Sequence, residues 1–200
     1  NLPSHFILNQ AQHPPLYYVL ASLFFGSAKI VQLFSFFLSA GTLIVFYFLL
    51  KDIHFFNPFM KIYLLFLAGS LPQFVFFGNY ISNDSLAFFV GALVFLQIWN
   101  YIKLPSLSNV LLLSLVIGAG LLTKATFTLF YLILPFFIFF IRKKKISDQT
   151  SKPIFFAFIF LIVSFLIGGY FYVNNFILYG NPLINSQDID KFIILGQDFI

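Results

Sequence analysis

The chain has 200 residues, 60% of them hydrophobic and only 8% charged, with a mean hydropathy of +0.97. A soluble domain carries about a quarter charged residues, so this composition excludes a soluble globule, a disordered chain and a fibrous repeat. The absence of cysteine excludes a disulfide scaffold and any thiol or thiolate–metal chemistry. The net charge of +5 does not point to nucleic acid, because the basic residues are dispersed between apolar runs. Glu is absent, so any carboxylate chemistry draws on the six Asp. The chain opens on Asn1 and ends on an apolar Ile200, and the expectation is a segment of a longer membrane protein.

In chain order, the first apolar stretch covers residues 15–25. A helix of that length reaches only ~16 Å at 1.5 Å per residue, too short to span a bilayer. Pro14-Pro15 suits a helix start and Tyr17-Tyr18 suits the headgroup layer, so an interfacial helix is expected. Spans of roughly 20 apolar residues are expected at about 30–50, 59–77 (with Pro72 inside) and 86–102. The run 110–141 is interrupted by Thr123-Lys124-Ala125-Thr126 and reads as two short helices, 109–123 and 126–141. A last span is expected at 153–173, followed by the start of an outer loop at 179–200. Unpaired backbone cannot face lipid, and these runs are too evenly apolar for barrel strands. The fold expected is therefore all-α: one polytopic bundle over 1–200 with about six spans and an outer juxtamembrane helix.

Lys and Arg set the orientation. Arg142, Lys143, Lys144, Lys145 and Lys152 mark a cytoplasmic loop, and alternation places Lys103, Lys51 and Lys61 on the same side. Eight of eleven basic residues then lie inside, with Lys29, Lys124 and Lys191 outside. A single long span over 110–141 would put the basic run outside, so two short helices turning back at Lys124 are preferred.

In so apolar a chain the polar residues at membrane boundaries carry the information. His13, Lys29, the turn Asn79 to Ser85, Thr123-Lys124, Asn174-Asn175 and Tyr179-Gly180-Asn181-Pro182 all fall on the outer side of this map. Each has a plain alternative: Asp84 as a helix cap beside Asn83 and Ser85, Lys124 as a snorkelling anchor, Asn174-Asn175 as a helix end. His5 and His13, with no nearby carboxylate, make a poor metal pair; no cofactor is evident, and dependence on a divalent metal is open. Together, two cations, a His and a carboxylate at one membrane surface suit a phosphate carried on a lipid, its tail between helices and its head among donors.

Gln12-His13-Pro14-Pro15-Leu16-Tyr17-Tyr18 resembles the HPPLYY motif of GT-C type membrane glycosyltransferases. These include the protein O-mannosyltransferases, the aminoarabinose transferases and their family 39 relatives. Residues 29–37 are similar to that family's RLLS-type segment, with Lys29 in place of Arg. Asn83-Asp84 matches its polar turn, Leu122-Thr123-Lys124 its LTK turn, and residues 175–183 its LYGDPL segment, with Asn181 in place of Asp. The resemblance covers nearly the whole chain. It implies an inverting enzyme that transfers a sugar from a polyprenyl-phosphate-linked donor to an acceptor hydroxyl on the extracytoplasmic face of a bacterial or archaeal plasma membrane. It also implies a general-base Asp upstream of HPPL; residues 1–12 hold no Asp or Glu, so the base is expected before residue 1.

The expected lipid-phosphate site is His13, Lys29, Asp84 and Lys124, with Asn83, Asn175 and Tyr179 in support. The partners expected are membrane lipid and the donor, with no nucleic acid; sugar and acceptor are open. The rival readings are a transporter or flippase, which should show broken helices and midplane polar groups, and a non-catalytic scaffold of the same fold.

Overall fold

The computed structural model describes residues 14–23, 27–145 and 153–183, and those residues form helices and connecting turns without a strand. Among the described residues eight helices run in order: α1 Leu16–Ser22, α2 Ala28–Lys51, α3 Pro58–Ser70, α4 Pro72–Gly78, α5 Asn83–Lys103, α6 Leu107–Leu121, α7 Phe127–Lys145 and α8 Pro153–Tyr179. Three of them, α2, α5 and α8, are long and apolar enough to cross a membrane, and α3 with α4 makes a fourth if the bent pair is one span. The apolar parts of α6 and α7 are shorter, Leu107–Leu121 and Phe127–Ile141. The chain is an all-helical membrane protein on these grounds.

Helix direction alternates, and polar ties sort to the two ends. At one end Lys103, closing α5, pairs with Asp52 after α2. There too Tyr101 Oη donates to the Ile138 carbonyl at 3.1 Å, and Asn109 Nδ2 to the Leu104 carbonyl at 2.7 Å. At the other end the start of α5 meets the α6–α7 turn, and Gln32 of α2 donates to the Asn79 carbonyl after α4 at 2.6 Å. Two short helices turning back at Lys124 are thus what the chain forms, with α6 ending at Leu121 and α7 beginning at Phe127.

Small residues set the tightest crossing. A Cβ on Gly168 of α8 would stand 2.5 Å from Leu121 Cβ and 2.6 Å from the Gly118 carbonyl, so α6 and α8 touch backbone to backbone. Ser164 Oγ donates to the Ser114 carbonyl at 3.1 Å along the same seam. Buried Val90, Val94, Tyr101, Leu113, Ile117, Ile138 and Phe160 fill the core between α5, α6, α7 and α8.

Four sequence expectations change. The stretch 59–77 is not one straight helix: Leu71 is extended (ψ 124°), and α3 and α4 meet at 61°. The residue before a proline is pushed out of the helical region, and Pro72 then starts the next helix as a first-turn proline. The interfacial helix ends at Ser22 and is seven residues long. The Tyr17 side chain is not on the helix's outer surface; it is fully buried and shares a 2.8 Å hydrogen bond with Ser35 of α2. Finally, α8 continues through Asn174-Asn175 to Tyr179. The chain turns only at Gly180, where φ is +69°, and Asn181 Oδ1 accepts from the Leu183 N–H at 3.0 Å.

Candidate functional site

The start of α5 is the most polar helix end that the fold packs against another turn. Ser82 is its cap: the extended backbone lets Ser82 Oγ accept the Asp84 N–H at 3.1 Å and donate to Asp84 Oδ2 at 2.8 Å. Ser85 Oγ returns to the Ser82 carbonyl at 2.8 Å. Capping by Ser82 corrects the plain reading of Asp84, whose other carboxylate oxygen is free to leave the helix and takes Lys124 Nζ as its partner. Next to it, Asn83 Nδ2 donates to the Thr123 carbonyl at 3.4 Å. Two side chains in one turn of α5 therefore grip consecutive residues of the α6–α7 turn.

That turn is held from three further directions. Thr123, fully buried, donates its hydroxyl to the Ala119 carbonyl at 2.8 Å. Leu16 N–H, opening α1, donates to the Leu122 carbonyl at 2.9 Å. Tyr172 Oη of α8 donates to the Leu121 carbonyl at 2.9 Å. The HPPL helix, the polar turn and the LTK turn, far apart in sequence, thus meet at one place.

The ion pair is partly open to its surroundings, at 36% side-chain exposure for Lys124 and 21% for Asp84. Tyr18 lies close enough to feel it: burial, then Tyr17 and the Asp84 charge, push its phenol above the usual range. Burial also pushes Tyr17 up, against hydrogen bonds from Ser35 and the Ser82 backbone.

Directly along α5 from Asp84, residues Ala87, Phe88, Gly91 and Phe95 follow at helical spacing and share its face. They form one wall of an apolar cavity of about 600 Å³, closed by Thr42, Leu43 and Phe46 of α2 and by Ala68, Leu71, Pro72, Gln73 and Phe74 around the α3–α4 bend. The α3–α4 bend supplies one side of this space. A Cβ on Gly91 would meet nothing within 4 Å. The sequence reasoning missed this cavity; its signal was Pro72 opposite the small residues Ala87, Gly91 and Ala92.

The remaining candidates are less well connected. Lys29 is exposed in the first turn of α2 and has no ion-pair partner among the described residues. Asn175 is buried on α8 but makes no hydrogen bond to the pair. His13 and the Tyr179 side chain lie outside the described residues, as do residues 146–152 of the basic loop. No cluster of three His, Asp or Glu side chains able to hold a metal occurs among the described residues.

No family model, no curated protein and no solved structure matches the chain.

Proposed function

We propose that this chain is the membrane core of a glycosyltransferase that takes a sugar from a polyprenyl-phosphate donor and passes it to an acceptor hydroxyl on the extracytoplasmic side. In this reading α2, α3–α4, α5, α6, α7 and α8 make six spans of a plasma-membrane protein, α1 lies on the outer leaflet, and the Lys124 end faces out. The observation that carries the reading is the vertical order on one face of α5: a partly open charged pair, then an apolar cavity. That order suits an amphiphile with an anionic head and a hydrocarbon tail. Motif likeness at residues 12–18 and 122–124 supports the same assignment.

The roles follow from the chemistry. The acceptor oxygen forms a bond to the anomeric carbon as that carbon's bond to the phosphate oxygen breaks; the lipid phosphate leaves with the electron pair, and the acceptor's proton passes to the general-base Asp that the resemblance implies upstream of HPPL. Lys124 neutralises that developing charge as a point cation. Asp84 is a positioning residue that holds the ammonium at the end of α5 when no phosphate is present. Tyr18, whose phenol feels the Asp84 charge, would donate to a phosphate oxygen in this reading. No residue of this chain is assigned as the general base, because no carboxylate lies near His13 in residues 1–12.

One observation favours a second reading. The α3–α4 break is a discontinuous helix beside an apolar cavity, the feature expected of a transporter or lipid flippase. Assaying the full protein with a polyprenyl-phosphate sugar separates the two. Sugar appearing on an acceptor supports the transferase, whereas donor crossing the bilayer with its sugar still attached supports the flippase. Gly91→Leu should fill the cavity and depress either activity.

A further inference from the structure

We propose that the bundle end opposite the Asp84–Lys124 pair is a docking surface for anionic phospholipid headgroups, formed by Lys51, Lys61 and Lys103 around the exposed phenylalanines of the α2–α3 turn. The inference is independent of any transfer chemistry and needs only that the helices cross a bilayer.

Three ammonium groups from three helices converge there. Lys61 Nζ donates to the Lys51 carbonyl at 3.0 Å, which folds the first turn of α3 back over the end of α2. Lys103 pairs with Asp52, the residue after Lys51. Lys51 and Lys103 each sit in the last turn of a helix, where the macrodipole favours a cation. Lys61 does not: it lies in the first turn of α3, which holds no acidic residue, so the dipole there opposes its charge. Among the described residues Asp52, already engaged by Lys103, is the one carboxylate at this end, against three lysines, so the described cluster is short of negative charge.

Its surroundings identify what supplies that charge. Phe55 in the connecting turn is 90% exposed and Phe59 at the start of α3 is 79% exposed. A soluble polyanion would neutralise the lysines but leave these rings in water. A phospholipid provides both parts, a phosphate for the ammonium groups and an acyl boundary for the aromatics.

The chain carries its own reporter, because Trp99 is its only tryptophan and the Lys103 ammonium lies 5.8 Å from the ring centroid. The full protein is reconstituted in phosphatidylcholine vesicles containing a minor fraction of brominated phosphatidylglycerol or, in parallel, the same fraction of brominated phosphatidylcholine. Symmetric vesicles make the readout independent of orientation. The brominated anionic lipid is expected to quench Trp99 more strongly, and each of Lys51→Gln and Lys61→Gln to lower the preference about fivefold, the equivalent of ~1 kcal/mol per cation near an anionic surface. The Arg variants should keep it, and Lys29→Gln at the other end should leave it unchanged. Equal quenching of the wild-type protein by the two lipids would overturn the proposal. Loss of the preference on adding inorganic phosphate at constant ionic strength would also overturn it, by showing a free-anion site.

Discussion

Lys124, in the turn between α6 and α7, pairs with Asp84 in the first turn of α5, 40 residues earlier in the chain. The pair closes the end of the bundle at which α1, α5, α6 and α8 meet. It also gives Lys124 a protein partner, where the sequence alone offered only headgroups or a bound phosphate. The pair makes two roles separable: bracing the turn, and presenting a cation to a ligand.

The first prediction concerns the brace. Lys124→Met and Asp84→Asn should each destabilise the protein, and the double variant by less than their sum, with a coupling of about 1 kcal/mol as expected for a partly exposed pair. Thermal unfolding in detergent measures it. Additive effects would show that the pair contributes nothing to the fold.

The α6–α8 crossing gives a sharper contrast. Gly168→Ala must push its new methyl against Leu121 and the Gly118 carbonyl, and overpacking of this kind costs about 1–3 kcal/mol. Gly91→Ala enters open space and should be neutral or stabilising by up to about 1 kcal/mol, the helix propensity difference. Equal effects of the two substitutions would refute the packing described.

Topology is testable because the chain has no cysteine of its own. An impermeant maleimide should label Ala125→Cys in intact cells and Ser147→Cys only after permeabilisation. The reverse pattern would invert the orientation and put the charged pair in the cytoplasm.

Acid should release the other end. The Lys103 hydrogen bond, and then the Lys103, Lys51 and His54 charges, hold the Asp52 carboxyl below its ordinary value of 3.8. A lowered folded value means that the contribution is complete above 3.8 and fades as pH falls through the folded value. Wild type should therefore exceed Asp52→Asn in stability at neutral pH, and the small gap should close in strong acid. A gap that widened on acidification would contradict the pairing.

Local signals were the legible ones. Lys124 with flanking threonines interrupts a long apolar run, and the break between α6 and α7 falls there because a charge at that depth forces the chain to a surface. The bend at Leu71–Pro72 was ambiguous, since an isolated proline kinks a helix, ends it or starts the next, according to its packing. Asp84 was hidden by its neighbours: Ser82, Asn83, Asp84 and Ser85 all suit a cap, and only the tertiary approach of Lys124 selects Ser82 for that task. Asn174-Asn175 imitates a helix end, yet α8 continues because Asn175 is buried against the bundle and the next left-handed position is Gly180. The cavity beside α5 was hard to read because its walls come from four helices, and Pro72 comes to stand opposite Ala87, Gly91 and Ala92 only once those helices pack.

If Lys124 serves a lipid-linked phosphate, as proposed, as well as bracing the fold, transfer activity and stability separate in its variants. Sugar transfer from a polyprenyl-phosphate donor is measured for the full protein as wild type, Lys124→Ala, Lys124→Arg and the reversed pair Asp84→Lys with Lys124→Asp. Lys124→Ala should lose about 10²–10³ in turnover, the usual cost of removing one preorganised stabiliser of developing charge, and Lys124→Arg should keep part of it. The reversed pair should recover the wild-type unfolding temperature yet remain slow, because the turn would then present a carboxylate to the phosphate. Turnover of Lys124→Ala at the wild-type rate would contradict the account and leave Lys124 as a brace alone.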